Sequence, residues 1–496
     1  MNFKKKLFHF QNFGEDIKLI YHQQNFGKEE KTDYMIVLYI KKFIQNGIYI
    51  DYLLRCIIKI INKIFLNKNI MKDLIQELKN RKLISKLTDE INIKKILKEK
   101  KINLYCGFDP TADSLHIGHL IPLLFLKRFS NFGHIPIIVI GGATALLGDF
   151  NIKKNKSFLE KYKNVKNWSK TIENQILNII KYENNNCNLI ILNNYLWIKE
   201  LKIINFLRDI GRFISINKIL RKEIVKKKLK ENQHISFMEF SYSLLQGYDY
   251  YFLNLNYDVY IQIGGSDQWS NIISGIDLVN KINKKKVYGI TTPLLTRSNG
   301  SKLGKSDDKE KVIWLDKKKT SVYEFYQFWL NTPDEKIFRY LKLFTFISMS
   351  EINKLKCKFF NKEINPFQAQ KILADEITKI VHGISQLRLA QKATNFLFYK
   401  KISELSIEDF YLLSTSGIKI YYPKSNENIK DILVNSKLSK SKNNAKSVIL
   451  SSSIRINNKK QKSIDFMFKK EDKLFNLFTL IKKGKKDFCL LIWKNY

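Results

Sequence analysis

Residues 104–120, LYCGFDPTADSLHIGHL, decide the fold of this chain. An apolar run at 103–107 predicts a buried strand, and the apolar residues of 115–129 predict a helix that follows it after a polar turn. Gly107 ends the predicted strand, where the missing side chain lets a ligand approach the backbone closely. A strand, a polar turn and a helix in this order are the first unit of an alternating α/β fold.

The same alternation continues to about residue 300. Helical patterns separate three further predicted strands, at 136–142, 189–193 and 259–264. The pattern predicts a Rossmann-like parallel sheet with helices on both faces, and ligands bind such sheets at the carboxyl ends of the strands. Polar segments follow three of the predicted strands, at 106–111, 141–149 and 264–268. We therefore expect the functional site at this edge of the sheet.

The chain has 496 residues and a formal net charge of +41 from 87 Lys and Arg against 46 Asp and Glu. Such a charge indicates a polyanionic partner. Lys, Asn and Ile dominate together, as in proteins from very AT-rich genomes, and we attribute about half of the excess to that bias. Charge alone therefore does not establish RNA binding. No apolar run reaches the ~20 residues of a membrane helix, so we expect no membrane association.

The five cysteines are scattered and odd in number, and none forms a C-x-x-C pair: Cys56, Cys106, Cys187, Cys357 and Cys489. This predicts neither a disulfide framework nor a zinc site, and we expect no protein-bound metal. A reducing, cytoplasmic compartment fits this cysteine usage.

The length favours about three domains. Residues 71–318 are predicted to form the α/β domain, 319–415 an α-helical domain, and 428–496 a small α+β domain whose basic β-like runs favour a binding module. A Lys/Asn/Ser-rich stretch at 423–446 is interpreted as a linker.

The first 70 residues differ from the rest, because their apolar pieces are interrupted every few residues by Lys or Asn. Met71 opens a cleaner amphipathic helix pattern that runs to residue 84. Met71 is therefore the expected functional start, and 1–70 is interpreted as upstream read-through or a dispensable extension. An organellar transit peptide is the alternative, and the acidic residues of the segment count against it.

His116 and His119 lie three residues apart at the predicted start of a helix. A helix N-terminus offers unpaired N–H groups and a positive dipole end, which suit phosphate. Gly118 removes a side chain that would block a nucleoside. We interpret this H-x-G-H as an ATP contact, with ordinary packing histidines as the alternative.

Lys302-Leu303-Gly304-Lys305-Ser306 supplies positive charge that could act on a triphosphate. In so lysine-rich a chain a K-x-x-K-S pattern also arises by chance, and it recurs at 437–441. We assign only the first copy to the site, because it follows the α/β segment and a Gly-rich stretch.

Two further patterns point to small-molecule binding. Gly264-Gly265-Ser266-Asp267-Gln268 follows the last predicted strand, and Asp267 could accept from ribose hydroxyls. A plain turn with Asp267 as helix N-cap is the alternative. Tyr242, Gln246 and Asp249 recur at i, i+4 and i+7 on an otherwise apolar helix, which favours a ligand-binding stripe over a solvated face.

These motifs identify a family resemblance. From Met71 to the C-terminus the chain resembles bacterial-type tyrosyl-tRNA synthetase, a class I aminoacyl-tRNA synthetase. YCGFDPTADSLHIGHL, GGATALLGD, FSYSLLQGYDY, QIGGSDQW and SKLGKS match that family in order and spacing. Tryptophanyl-tRNA synthetase shares H-x-G-H and K-M-S-K-S but lacks GGSDQW and the GFDPT lead-in.

The resemblance implies a role for each matching residue. Those implied to bind tyrosine are Tyr105 and Asp249 at the phenol, Asp149, Tyr242 and Gln246 at the α-ammonium, Gln268 near the carboxylate, and Gln262 in support. Those implied to bind ATP are Cys106, Asp109, Gly118, Gly265, Asp267, Lys302 and Lys305. Those implied to act in catalysis are Thr111, His116, His119, Lys302 and Lys305.

The resemblance further implies tyrosine activation by ATP and transfer of tyrosyl to the 3′-terminal adenosine of tRNA(Tyr). It also implies that the helical domain, 319–415, binds the anticodon side of tRNA and that 428–496 is a small α+β RNA-binding domain. Mg²⁺ would accompany ATP, and residues 206–220 match the homodimer interface of the family. The loop after Asp149 departs from the family pattern, because Phe150-Asn151-Ile152-Lys153 replaces P-S-G-K and Ser157 stands near an expected arginine. An RNA-binding protein that kept the fold without aminoacylation and a tryptophan-specific ligase are the rival readings.

Overall fold

The computed structural model describes residues 73–147, 158–183, 188–220, 223–234, 236–295, 312–424, 427–484 and 486–493, together with three N-terminal strands. The chain divides into two compact units, Met1–Lys72 and Asp73–Tyr496. In the first unit, strands β1 (Lys5–Phe10), β2 (Ile17–His22) and β3 (Ile36–Val37) form an antiparallel sheet in that order.

The second unit contains a six-stranded sheet whose apolar strands are covered on both faces. Its strands are β4 (Lys86–Leu87), β5 (Asn103–Phe108), β6 (Ile135–Ile140), β7 (Ile190–Asn193), β8 (Val259–Gly265) and β9 (Tyr288–Thr292). They lie in the order β4-β9-β8-β5-β6-β7, and every pair except β4–β9 is parallel. The predicted Rossmann-like fold and its four predicted strands are confirmed.

The direction of winding reverses at β5. The chain passes from β5 outward to β6 and β7, and then returns to β8 and β9 on the other side. The loops after β5 and β8 therefore leave the sheet in opposite directions, which opens a crevice at the carboxyl ends of these two strands.

Helices cover both faces of this sheet. They are Leu74–Asn80, Glu90–Glu99, Leu120–Asn131, Gly142–Leu147, Phe158–Lys181, Tyr195–Ile198, Ile203–Asp209, Ile216–Leu220, Glu223–Lys230, Phe237–Tyr257 and Trp269–Ile282, with 3₁₀ turns at Ile117–His119, Gly211–Phe213 and Ser266–Gln268. The helix expected near Met71 begins at Leu74, because the Asp73 side chain accepts from the Gln76 N–H and caps it.

The helix predicted to begin at residue 115 begins at Leu120 instead. Residues 115–117 are held in an extended conformation, because the Leu115 carbonyl accepts from Leu315 N–H at 2.8 Å and Ile117 N–H donates to the Ile313 carbonyl at 3.1 Å. A single 3₁₀ turn, Ile117–His119, joins this bridge to the helix. The bridge also brings the chain that follows residue 311 against the H-x-G-H segment.

Residues 319–415 are helical, as predicted. The helices are Val322–Leu330, Asp334–Phe344, Met349–Phe360, Pro366–Phe398 and Ile407–Thr415, with a 3₁₀ turn at Ile402–Glu404. The longest of these, Pro366–Phe398, is a helical hairpin and not one straight helix. Gly383 has φ 84° and ψ 167°, and Gln391 Nε2 donates to Asp375 Oδ1 at 2.7 Å. A straight helix would hold these two residues ~24 Å apart.

The C-terminal part forms a five-stranded sheet with two helices. Its elements are β10 (Lys419–Tyr421), helices Ile429–Asn435 and Lys442–Leu450, β11 (Ile454–Ile456), β12 (Lys459–Gln461), a 3₁₀ turn at Lys470–Asp472, β13 (Phe478–Lys483) and β14 (Asp487–Ile492). The order is β10-β14-β13-β11-β12, with β10 parallel to β14 and the remaining pairs antiparallel.

The linker predicted at 423–446 is wrong, because both helices of this domain fall within or overlap it. Its polar residues are helix caps. The Asn428 side chain accepts from Asp431 N–H at 3.0 Å, and Ser441 Oγ accepts from Asn444 N–H at 3.2 Å. Between these caps Leu433 and Leu438 are buried. The second K-x-x-K-S therefore leads into a helix of the C-terminal domain.

No helix among the described residues is long and apolar enough to cross a membrane.

Candidate active site

The crevice at the carboxyl ends of β5 and β8 is a cavity of about 380 Å³. The predicted site residues that line it are Tyr105, Cys106, Asp109, His116, Gly118, His119, Tyr242, Gln246, Asp249, Gln262, Gly265, Asp267 and Gln268. Four elements far apart in the sequence supply them, namely β5, the H-x-G-H turn, the helix Phe237–Tyr257 and the end of β8. The structure thus brings together most of the side chains that the motifs singled out.

The two histidines lie side by side in the cavity lining, with ring centroids 4.0 Å apart and ring planes tilted by 34°. His116 Nδ1 accepts from Gly118 N–H at 3.1 Å, and His119 Nδ1 accepts from His116 N–H at 3.2 Å. Burial lowers the pKa of His116 to about 4 and also lowers the pKa of His119. Both rings are therefore neutral near pH 7 and carry their proton on Nε2, which makes each Nε2–H a donor for a ligand.

Asp109 lies at the floor of the cavity between two hydroxyl donors. Thr144 Oγ1 donates to Asp109 Oδ1 at 2.7 Å, and the Tyr242 hydroxyl donates to Oδ2. Burial raises the pKa of Asp109, and the two hydrogen bonds oppose that rise. Gly141 makes this packing feasible, because a Cβ there would lie 1.8 Å from Asp109 Oδ1.

Asp249 is buried and fixed from two sides. Its Oδ2 accepts from Asn194 Nδ2 at 3.1 Å, and its Oδ1 accepts from Trp197 Nε1 at 2.8 Å. Burial raises the pKa of this carboxyl to about 7, against the effect of those two hydrogen bonds. The Trp197 ring stacks on Phe252 at 4.6 Å, which holds the indole N–H in place.

Three buried polar atoms in the cavity lining have no hydrogen-bond partner among the described residues: Tyr105 Oη, Gln246 Oε1 and Gln262 Oε1. Each such atom costs about 1–3 kcal/mol in a folded protein. Burial, and secondarily the nearby charge of Asp249, raises the pKa of Tyr105 well above its usual value, so its hydroxyl stays protonated as a donor. These atoms are arranged for a polar ligand.

The remaining lining includes an amide cluster, a glycine without space for a side chain and a buried thiol. Gln246 Nε2 and Asn271 Nδ2 both donate to Gln268 Oε1, at 3.3 and 3.2 Å. Gly265 has no room for a side chain, because a Cβ would lie 2.6 Å from Asp267 Oδ1. Burial raises the pKa of the Cys106 thiol to about 12, so it is a neutral contact and not a thiolate nucleophile.

Four predicted site residues are not among the described residues that line the cavity. Thr111 is exposed and is not part of the cavity lining, although its N–H donates to the Asp109 carbonyl. Asp149, Lys302 and Lys305 lie outside the described residues, as do Lys153 and Ser157. No group of three His, Cys, Asp or Glu side chains in the described part of the chain could hold a metal ion.

The motifs missed three residues that shape the site: Thr144, Asn194 and Trp197. Thr144 lies within the matched GGAT segment, but no role was assigned to it. Asn194 directly follows β7, so the rule that polar residues collect at strand ends could have found it. Nothing local marks Trp197, because its contact with Asp249 joins segments 52 residues apart.

Comparison with known proteins defines the family. Residues 97–399 match the class I tRNA synthetases (W and Y), and residues 416–491 match the tyrosine–tRNA ligase SYY-like C-terminal domain. The chain is 48% identical over 402 residues to tyrosine–tRNA ligase of Blochmanniella pennsylvanica, which covers 81% of this chain and 93% of the relative. The corresponding enzyme of Shigella dysenteriae is 45% identical over 399 residues, with 80% and 93% covered.

Among solved structures, a C-terminally truncated mitochondrial tyrosyl-tRNA synthetase of Aspergillus nidulans superposes with a TM-score of 0.58. It is 30% identical in sequence and covers 66% of this chain and 94% of its own. The chain belongs to the class I tRNA synthetases of the W and Y family. Within that family it belongs with the bacterial-type tyrosine–tRNA ligases, as its motifs predict.

Proposed function

We propose that the cavity activates tyrosine with ATP to tyrosyl-AMP and pyrophosphate, and then transfers tyrosyl to the 3′-terminal adenosine of tRNA(Tyr). The observation that carries this proposal is the buried Tyr105 hydroxyl, which has no partner among the described residues and shares the cavity with the fixed Asp249 carboxylate, because a buried hydroxyl near a fixed carboxylate is the complement of a phenol. Tyr105 donates to the phenol oxygen, and Asp249 accepts the phenol hydrogen with a lone pair that Asn194 and Trp197 leave free.

The polar stripe of the helix Phe237–Tyr257 binds the other end of the amino acid. Tyr242 and Gln246, with Asp149, receive the α-ammonium. Asp109, which accepts from the Tyr242 hydroxyl, contacts ATP near the reacting centre. Gln268 lies near the carboxylate that attacks ATP, and Gln262 supports the ring pocket. An ammonium group can donate to Gln246 Oε1, a buried acceptor that has no partner among the described residues.

The nucleotide-binding half of the cavity promotes the reaction by positioning ATP and by stabilising negative charge. Attack of a carboxylate on the α-phosphate needs no general base, which fits two histidines whose pKa values are too low for them to be acids near pH 7. His116 and His119 donate Nε2–H to ATP, with Thr111 near the pyrophosphate. Cys106, Gly118, Gly265 and Asp267 enclose the nucleoside.

Lys302 and Lys305 supply the charge that stabilises the departing pyrophosphate. The backbone bridge between residues 115–117 and 313–315 supports this assignment, since it ties the chain after the K-L-G-K-S stretch to the histidines. Mg²⁺ arrives with ATP as part of the substrate.

The remaining parts of the chain serve tRNA. In this proposal residues 71–318 carry the chemistry, 319–415 bind the anticodon side of tRNA, and 428–496 bind RNA, with a sheet that already begins at Lys419. The enzyme works in the cytoplasm, where its tRNA substrate is.

A second copy of the chain covers an apolar surface. Ile203, Ile204, Ile216 and Phe237 are 61–76% exposed on a segment that includes the predicted interface, 206–220. Contiguous exposed apolar residues of this kind mark protein–protein contacts. Sedimentation should give a dimer mass, and Ile204→Lys should give a monomer. A wild-type monomer at micromolar concentration would exclude the homodimer.

ATP–pyrophosphate exchange with tyrosine, tryptophan and phenylalanine tests the activity. We expect exchange with tyrosine alone at low amino-acid concentration. Exchange with none of the three would favour an RNA-binding protein without aminoacylation, and exchange with tryptophan would show that the phenol pocket is misassigned.

A further inference from the structure

A row of three cations crosses one face of the C-terminal sheet. On neighbouring antiparallel strands, Arg455 of β11 faces Lys460 of β12 on one side and Lys482 of β13 on the other. Directly opposite residues of an antiparallel pair point to the same face, with strands ≈ 4.8 Å apart, so the row spans ~10 Å. Lys460 and Arg455 are exposed and Lys482 is half-buried. We call these three residues the cationic row.

Repulsion between the members of the cationic row destabilises the C-terminal sheet. Like charges directly opposite on a sheet repel each other. Among the described residues none of the three has a carboxylate partner in an ion pair. Burial, and secondarily the charge of Arg455, lowers the pKa of Lys482. Such an arrangement is expected where an external anion completes it.

Two ordinary explanations for exposed cations, protection of a sheet edge and compositional bias, do not account for the whole cationic row. Lysine on an edge strand prevents aggregation, and this accounts for Lys460 on the edge strand β12. It does not account for Arg455 and Lys482, which lie on interior strands. The compositional bias toward lysine does not account for Arg455 either, because only ten of the 87 basic residues are arginine.

Aromatic side chains continue the row. Lys482 faces Phe488 of β14 in register, and its Nζ lies 4.9 Å from the Phe488 ring centroid and 5.6 Å from that of Phe398. Phe398 ends the helix Pro366–Phe398 and is partly exposed, and Tyr399 beside it is 64% exposed. Phe488 is itself buried, but Phe398 and Tyr399 expose rings on which bases of unpaired nucleotides can stack while the cations hold the backbone.

We propose that the cationic row binds successive phosphates of the tRNA backbone at the junction of the helical and C-terminal parts. The proposal rests on the proposed function, since it takes tRNA as the partner. The row is longer than one phosphate group, which favours a polyanion over a small ligand. The guanidinium of Arg455, at its centre, can hold a phosphate with two parallel hydrogen bonds.

The test uses the full chain and measures tRNA(Tyr) affinity over a series of salt concentrations. Arg455→Gln and Lys482→Gln should each weaken binding about tenfold near 0.1 M salt and reduce the slope of log K against log salt by about 1. Arg455→Lys keeps the charge and should keep the slope. Lys459→Gln is the matched control, because Lys459 is an equally exposed neighbour on β12 that faces the other side of the sheet.

Two further measurements separate a binding role from a structural one. Pyrophosphate exchange should be unchanged in all four variants, and the melting temperatures of Arg455→Gln and Lys482→Gln should equal or exceed that of wild type, because repulsion is relieved. If both row variants match Lys459→Gln in affinity and slope, the row does not bind tRNA. If they keep tRNA affinity but lose binding to polyglutamate, the row is a site for an acidic protein. A wild-type chain that neither binds nor charges tRNA would instead overturn the proposed function.

Discussion

At the scale of single residues, three side chains show that the site suits a polar ligand: Tyr105, Gln246 and Gln262. Each has a buried polar atom without a partner among the described residues, and all three side chains line one cavity. Motif matching found these residues, because each lies in a segment with a recognisable spacing. It could not find Asn194 and Trp197, because their role depends on Asp249, which is remote in sequence.

Trp197→Phe tests whether Asp249 must be held in place. The substitution removes one N–H bond to the carboxylate but keeps a ring to stack on Phe252. A hydrogen bond to a charged group contributes about 1.5–3 kcal/mol, so tyrosine activation should fall about 10- to 100-fold. Activation of phenylalanine should change far less, because phenylalanine has no hydroxyl that could donate to Asp249. Pyrophosphate exchange with both amino acids gives the ratio, and an unchanged ratio would mean that Asp249 does not read the phenol.

The ionisation of Asp249 predicts a pH dependence. Burial raises its pKa to about 7, so the carboxyl gains a proton as the pH falls below that value and can no longer accept the phenol hydrogen with full charge. We expect kcat/KM for tyrosine to fall from pH 8 to pH 6, while kcat/KM for phenylalanine stays nearly level. Asp249→Asn should remove the difference between the two profiles. Parallel profiles in wild type would assign the titration to another group.

At the scale of elements, four of the six strands of the large sheet follow from local apolar runs, and prediction placed β5, β6, β7 and β8 within about two residues of their observed bounds. The other two strands, β4 and β9, were not predicted, and two further features were also inaccessible to pattern reading. The polar residues of 423–446 resemble a linker in composition, and only the packing of Leu433 and Leu438 shows that Asn428 and Ser441 are helix caps. The sequence does not reveal the turn at Gly383 either, because an isolated glycine also occurs inside continuous helices.

Gly383→Ala should destabilise the helical hairpin through the backbone alone. No heavy atom lies within 4 Å of the Cβ that would be added, but φ 84° with ψ 167° is a region that only glycine adopts readily. We expect a loss of about 1–3 kcal/mol in the free energy of unfolding, measured by urea titration. Gly484→Ala is the control, because Gly484 has φ 61° and also has an open Cβ position. An alanine at 383 that costs no more than one at 484 would argue against the strained turn.

At the scale of the whole molecule, two copies of one lysine motif have different surroundings. The copy at 437–441 ends in Ser441, which caps a helix of the C-terminal domain, and its Leu438 is buried. The copy at 302–306 precedes the segment that pairs with the histidine turn.

Lys302→Ala or Lys305→Ala should slow pyrophosphate exchange about 100-fold, which is the effect of losing one charge that stabilises a leaving group. Lys437→Ala and Lys440→Ala should leave exchange intact. Loss of exchange in the second pair would show that the wrong copy was assigned to the site.

A chain that begins at Met71 should fold and charge tRNA as well as the full chain. All described site residues lie in the unit Asp73–Tyr496, and the family match begins at residue 97. The helix Leu74–Asn80 must stay, because Leu74, Ile75 and Leu78 are buried, and burying each such side chain contributes about 1.5–3 kcal/mol. The control is a chain that begins at Arg81, which lacks this helix and the Glu77 carboxylate that pairs with Arg81 Nε at 2.9 Å. It should unfold at a clearly lower urea concentration. An inactive chain from Met71, beside an active full chain, would show that residues 1–70 contribute to function.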